Sequence, residues 1–136
     1  MIDKVSECIC ETQARIYELA ADTGYDMKAF SDAYLASSFC ERAMDTVYSR
    51  FQFADAEECF DFLIPEIGER VPKGSGYFDP AVAHWIGYTY RQMAFELRIG
   101  SRELSERLSF ELMCQYYPGL HTIDEEMSAE IIMSRL

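Results

Sequence analysis

Positive charge is the first thing this chain has little of. Twelve Lys and Arg stand against 24 Asp and Glu, a formal net charge of −12 at pH 7. Such a chain repels the phosphates of DNA and RNA unless its few cations cluster, which argues against nucleic acid as a direct partner. Histidine is scarcer still, with two in 136 residues, and the five cysteines (Cys8, Cys10, Cys40, Cys59 and Cys114) are odd in number and scattered. No Cys/His spacing suits zinc, so neither metal nor cofactor is expected. Cys8 and Cys10 lie two apart, on different faces of a helix, and the set reads as reduced, mostly buried thiols of a cytoplasmic protein. Nowhere do about eighteen apolar residues run together, so no membrane span is expected. The opening MIDKVSECICETQARIYELA carries charge every few residues where the apolar centre of a signal peptide would sit, so no leader is expected either. Valine is scarce and no stretch alternates apolar with polar, which excludes convincing strands.

What remains is helix after helix. Ile2, Val5, Ile9, Ile16, Leu19 and Ala20 recur at three- and four-residue steps, predicting an amphipathic helix over 3–22 that stops at Gly24. Asp26 is an N-cap for a second helix carrying Phe30, Ala33 and Tyr34. Ser38 with Glu41 forms a capping box for a third, starting near 39 with Phe39, Ala43 and Val47 inward. Pattern leaves open whether 26–48 is one helix or two. Asp55 with Glu58 repeats the box before Cys59, Phe60, Phe62, Leu63 and Ile64, with Pro65 and Gly68 disrupting or ending that helix. VPKGSGYFDP (71–80) is the one clear break. Asp79 and Pro80 then supply an N-cap and an N1 proline. The helix over 80–99 is the strongest, with Val82, Trp85, Ile86, Thr89, Met93 and Leu97 in one stripe, widened by Ala81, Tyr88 and Phe95, and Gly100 at its end. Ser101 caps a short helix with Leu104 and Leu108, and Ser109 caps another with Leu112 and Met113. Pro118-Gly119 turns the chain, and Thr122 with Glu125 opens a last helix bearing Ile123, Met127, Ile131 and Ile132. The expected fold is an all-α single domain over residues 1–136, a bundle of roughly six to eight helices, some short. The 71–79 loop is the one place where it could divide.

Candidate chemistry is thin. His84, Tyr88 and Arg91 lie at i, i+4 and i+7 and share a helix face. Gly87, mid-helix, costs about 1 kcal/mol against alanine, which is best explained by a backbone or a ring packing close. His121 sits beside a helix start, near Asp124 and Glu125, and if it meets His84 in space the two form the best available metal or acid–base pair. No second positioned group completes a catalytic set. Lys73-Gly74-Ser75-Gly76 lacks the preceding strand and the glycine spacing of a phosphate loop. SREL-x-x-x-L (101–108) looks like the first helix of a helix-turn-helix unit. The Phe110–Gln115 stretch that follows is apolar and acidic, so it does not read bases.

HWIGYTYR (84–91), IGSRELSERLSFELM (99–113) and YYPGLHTIDEEMSAEII (116–132) together resemble a family of small, uncharacterised bacterial proteins with a WIGYxYR helix and a C-terminal HTxDxE segment. The matching residues are Trp85, Ile86, Gly87, Tyr88, Tyr90 and Arg91, then Tyr117, His121, Thr122, Asp124, Glu126 and Glu130. The likeness covers residues 77–132 well and the first 70 loosely, and His84 stands where the family has an aromatic residue. It implies an antitoxin-like companion of a toxin gene and carries over no catalytic residue.

Two functions follow from these observations. The first is an acidic helical module that binds a protein partner, such as a toxin encoded nearby, through its carboxylates and the Tyr88–Arg91 face; a homodimer stays open. The charge supports this, because residues 1–71 hold six Lys/Arg against fifteen Asp/Glu and residues 111–136 hold one against five. The second is a small-ligand protein or enzyme whose pocket is lined by His84, Tyr88, Arg91 and His121. A concave pocket holding both histidines favours the second; a flat apolar patch rimmed by carboxylates favours the first.

Overall fold

Most of the helices start where a short polar side chain takes an unpaired backbone N–H. A computed structural model describes residues 2–46, 49, 52 and 54–136. It places the helices α1 (Lys4–Thr23), α2 (Met27–Leu35), α3 (Ser38–Cys40), α4 (Ala56–Ile67), α5 (Pro80–Leu97), α6 (Ser101–Arg107), α7 (Phe110–Leu120) and α8 (Glu125–Met133). Among the described residues there is no strand, and the protein is an all-α bundle. Asp26, Asp55, Asp79 and Ser109 cap α2, α4, α5 and α7 as their spacing predicts, and Asp3 caps α1. Gly24 ends α1 with φ 92°, a left-handed conformation that costs glycine nothing.

Helix α5 is central, and its most extensive partner is α1. A single apolar stripe understates α5, because every residue from Trp85 to Ala94 is buried. Gly87 is what lets α1 come so close. A methyl group there would meet the Tyr17 ring at 2.8 Å and the Gln13 carbonyl at 3.0 Å. On α1 the buried face is Ile9, Cys10, Gln13, Ala14, Ile16, Tyr17 and Ala20, whereas Val5, expected inward, is half exposed. Below it, the Tyr17 ring packs edge-on against Phe30 and Tyr34, and Phe30 stacks on Tyr25, Tyr34 and Phe60.

The 71–79 loop does not separate two cores. One contiguous cluster joins Ile9 through Val71 to Ala83 through Ile132. The loop itself pairs back onto the α1–α2 turn, with Asp26 N–H donating to Pro72 O (2.9 Å) and Gly74 N–H to Gly24 O (2.8 Å). Lys73 lies over the Tyr25 ring and donates to Thr23 O.

Residues 26–46 form two pieces, because the chain breaks at Ala36-Ser37 and α3 runs on into a π-helical turn, Glu41–Asp45. The cap of α3 is Ser37, not Ser38. Ser37 Oγ accepts from Cys40 N–H, while the N–H groups of Ser38 and Phe39 go to the Glu66 carboxylate at 2.7 and 2.9 Å. A carboxylate 28 residues away thus outcompetes the local box. Val47, expected inward, lies outside the described residues. Pro65 is accommodated inside α4, which ends at Ile67 before a single 3-10 turn, Gly68–Arg70.

Four further boundaries differ from expectation. Helix α5 is ended by Arg98, at φ 55°, rather than by Gly100. The N–H groups of Arg98 and Ile99 both close onto Ala94 O, and Ile99 packs on the core. That apolar contact offsets the roughly 1–2 kcal/mol of a left-handed non-glycine residue. Gly100, at φ −73°, is instead the N-cap residue of α6. Ser101 does not cap, because its hydroxyl faces the interior. Pro118-Gly119 does not turn the chain. Both lie in the last turn of α7, where a missing N–H costs one bond and the helix still closes through His121 N–H to Tyr117 O. The cap of α8 is Asp124 rather than Thr122, with Asp124 Oδ1 accepting from Glu126 N–H at 2.8 Å. His121 therefore ends α7 instead of preceding the cap of α8.

Candidate functional site

The spacing of His84, Tyr88 and Arg91 predicts one shared face, but α5 delivers them to two places. Arg91 points into the bundle and is 1% exposed. Its Nε donates to Gln13 Oε1 at 3.0 Å, one terminal nitrogen to Asp45 Oδ1 at 2.7 Å, and the other to Ser101 Oγ at 2.6 Å and Cys40 Sγ at 3.2 Å. Asp45 also accepts from Ser101 N–H and Ser101 Oγ–H, and Gln13 accepts from Tyr34 Oη and donates to Gly87 O. A charge this deep is tolerable only because its donors are met and a carboxylate balances it. Burial pushes the Cys40 thiol up, Arg91 opposing, so the sulfur beside the guanidinium is a neutral thiol. Arg91 is thus no contact residue for a partner, and it does not line a common pocket with the histidines.

His84 stays at the surface, and Tyr88, though buried, borders the same hollow. This cavity, of about 200 Å³, is also bordered by Trp85, Tyr117, His121 and Glu125. The sequence leaves open whether the two histidines share a site; they do. Helix α5 supplies His84, Trp85 and Tyr88, the end of α7 supplies Tyr117 and His121, and the first turn of α8 supplies Glu125. Trp85 and Tyr117 meet edge to face with centroids 5.7 Å apart, and His121 stacks on Tyr117 at 4.2 Å. Both histidine rings are already engaged. His84 Nδ1 bonds Glu18 Oε1 and its Nε2 lies 3.6 Å from Glu11, while His121 Nδ1 is 2.7 Å from Tyr117 O.

The electrostatics around this cavity are one-sided. Glu7, Glu11 and Glu18 occur at steps of four and seven on α1, so they project from one face. Partial burial, followed by the like charges of Glu11, Asp124 and Glu7, raises the Glu125 carboxyl above the usual range, with His84 opposing. Tyr88 is raised first by burial, and then by Cys10, Glu125, Glu11 and Glu7. Cys10, behind it, is pushed up to about 12, chiefly by burial. Helices α1 and α8, from the two acidic regions of the sequence, therefore converge their carboxylates here. Among the described residues no group of three or more His, Cys, Asp or Glu is placed to hold a metal.

A larger hollow of about 840 Å³ lies where α3 and the π-helical turn meet α4, beside Phe39, Phe62 and Pro65. Its charged groups serve the fold: Glu66 caps α3, and Arg42 Nε donates to Ser38 O. Size alone does not make it the better site.

Sequence reasoning missed Gln13, Asp45 and Ser101 around Arg91, and Trp85, Tyr117 and Glu125 in the cavity. One signal was present: Gln13 is a polar residue in register with Ile9, Ile16 and Tyr17 on the buried face of α1. No family model, curated protein or solved structure matches the chain. No helix among the described residues is long and apolar enough to cross a membrane.

Proposed function

We propose that this protein is an acidic helical binding module that captures a basic protein partner, in the antitoxin-like role that the WIGYxYR and HTxDxE segments imply. The observation that carries the reading is the convergence of Glu7, Glu11, Glu18, Asp124 and Glu125 around an aromatic cavity. Carboxylates gathered in this way raise the encounter rate with a basic surface, and the rigid aromatic side chains supply anchoring area. The contact face is this cavity and its rim, with Tyr88 as one wall. Arg91 serves the fold behind it.

The alternative, a small-ligand protein, draws on one observation: both histidines border a single concave site. Against it, the cavity is smaller than the roughly 300–1,000 Å³ of drug-sized ligand sites, and each histidine already holds a hydrogen bond. The test is co-expression with the product of the adjacent gene, followed by size exclusion at increasing salt. A complex that weakens with salt, and weakens again in a folded Glu11→Gln/Glu125→Gln variant, supports the binder. Failure to bind any neighbour, with a small molecule retained through purification, overturns it.

A further inference from the structure

The aromatic cavity combines three properties that together describe a ligand. First, its walls are conjugated rings held in place: Trp85 and Tyr88 are nearly buried, and Tyr117 is wedged between Trp85 and His121. Rings fixed in this way present π-surface without an ordering cost on binding. Second, its electrostatic surroundings are negative and only partly compensated, Arg15 pairing with Glu18 at 2.9 Å. No lysine or arginine lines it, and of its two histidines His84 is occupied by Glu18 and Glu11 while His121 Nδ1 is engaged with Tyr117 O. Glu125 pairs with no Lys or Arg among the described residues, and its neighbours Glu11, Asp124 and Glu7 repel it. Third, its volume of about 200 Å³ suits one side chain rather than a cofactor.

From this geometry we infer that the cavity is a receptor for one arginine side chain of a basic partner, its guanidinium lying against the rings of Trp85, Tyr88 and Tyr117 and pairing with Glu125. The inference rests on the reading of the protein as a binder of basic proteins and names the residue that such a partner must offer. Cation–π attraction and the carboxylate act on the same charge. Arginine suits the cavity better than lysine, because a guanidinium is planar, weakly hydrated and able to stack on rings while it pairs with a carboxylate through two parallel N–H groups. Glu7 and Glu11 on the rim act earlier, drawing the cation in. A neutral side chain of the same shape gains none of this.

Trp85 is the chain's only tryptophan and forms part of the wall, so its fluorescence reports occupancy directly. The intact protein is titrated with Nα-acetyl-arginine methylamide, the matching lysine amide, and the neutral citrulline amide. The expected result is a saturable change with arginine, a weaker one with lysine and none with citrulline. Glu125→Gln, an exposed substitution in the first turn of α8, should weaken arginine binding by about three- to tenfold, the size of one partly exposed charge-assisted contact. Glu106→Gln on α6, outside the cavity, should leave binding unchanged. Equal response to citrulline, equal loss in the two variants, or no arginine response at all overturns the inference. If arginine fails while the salt-sensitive partner complex still forms, the cavity assignment falls and the binder reading stands. Saturable arginine binding, lost in Glu125→Gln, with no basic protein partner overturns the binder reading alone.

Discussion

Two regions of α5, one turn apart, handle charge in opposite ways. Around Arg91 each guanidinium nitrogen has an acceptor and the cation has its carboxylate, with the arginine itself buried and Asp45 at the edge of the interior. Around Tyr88 the carboxylates repel one another, the rings face a cavity, and among the described residues no lysine or arginine pairs with Glu125, although Arg15 holds Glu18 at 2.9 Å. The first arrangement is complete, so it can only hold the fold together. The second is incomplete, and what it lacks defines what it can bind. A binding site on a small helical protein is thus better found by asking which charges are left unbalanced than by asking which residues are unusual. Arg91 is the more unusual residue, and it belongs to the scaffold.

The largest expected effect breaks the completed side. Arg91→Ala strands Asp45 and Gln13 and should cost about 3–5 kcal/mol of stability, read by urea denaturation followed through Trp85 fluorescence. A loss under about 1 kcal/mol would mean that the network is not the tie described above. Next comes Gly87→Ala. Helix propensity alone favours alanine by about 1 kcal/mol, yet the added methyl meets the Tyr17 ring at 2.8 Å. We expect a net loss of about 1–3 kcal/mol, and a stabilised variant would show that α1 and α5 do not cross so closely.

The smallest effect sharpens the open side. The Glu125 carboxyl is raised in the folded protein, so it contributes stability while protonated and loses it as the pH climbs from its ordinary value of 4.5 through its higher folded value. Melting temperatures measured across that window should fall for the native protein and fall less for Glu125→Gln. A steeper fall in the variant would reverse the sign of the field assigned to the cavity. Loading the cavity with a cation should flatten the native profile in the same direction.

Much of the architecture could be read along the chain, because the devices that set it are local. A cap reaches two or three residues, so Asp26, Asp55, Asp79 and Ser109 declare their helices directly. Gly87 announces a close approach, since nothing else justifies glycine inside so good a helix. The misreadings have one cause. Ser38, Gly100, Ser101 and Thr122 are each chemically fit for the end they were assigned, but a distant group or a neighbouring residue took the role. Glu66 claimed the amides of α3, Asp45 claimed Ser101, and Asp124 lay two residues past Thr122.

The candidate site divides along the same line. His84 and Tyr88 could be picked out as a pair, because i and i+4 on a helix are neighbours by geometry alone. That Arg91 leaves them for the interior depends on Gln13, Asp45 and Ser101, which stand 78, 46 and 10 residues from it. That Glu11 and Glu125 face one cavity depends on α1 and α8 folding against the same helix. Sequence by itself therefore determined the helices, most of their caps and the acidity of the two ends, since backbone hydrogen bonding and side-chain period act over a few residues. Only the tertiary structure decided which arginine is buried and which carboxylates stay unanswered, because balancing charge in a low-dielectric interior is settled between groups that meet only after the helices pack.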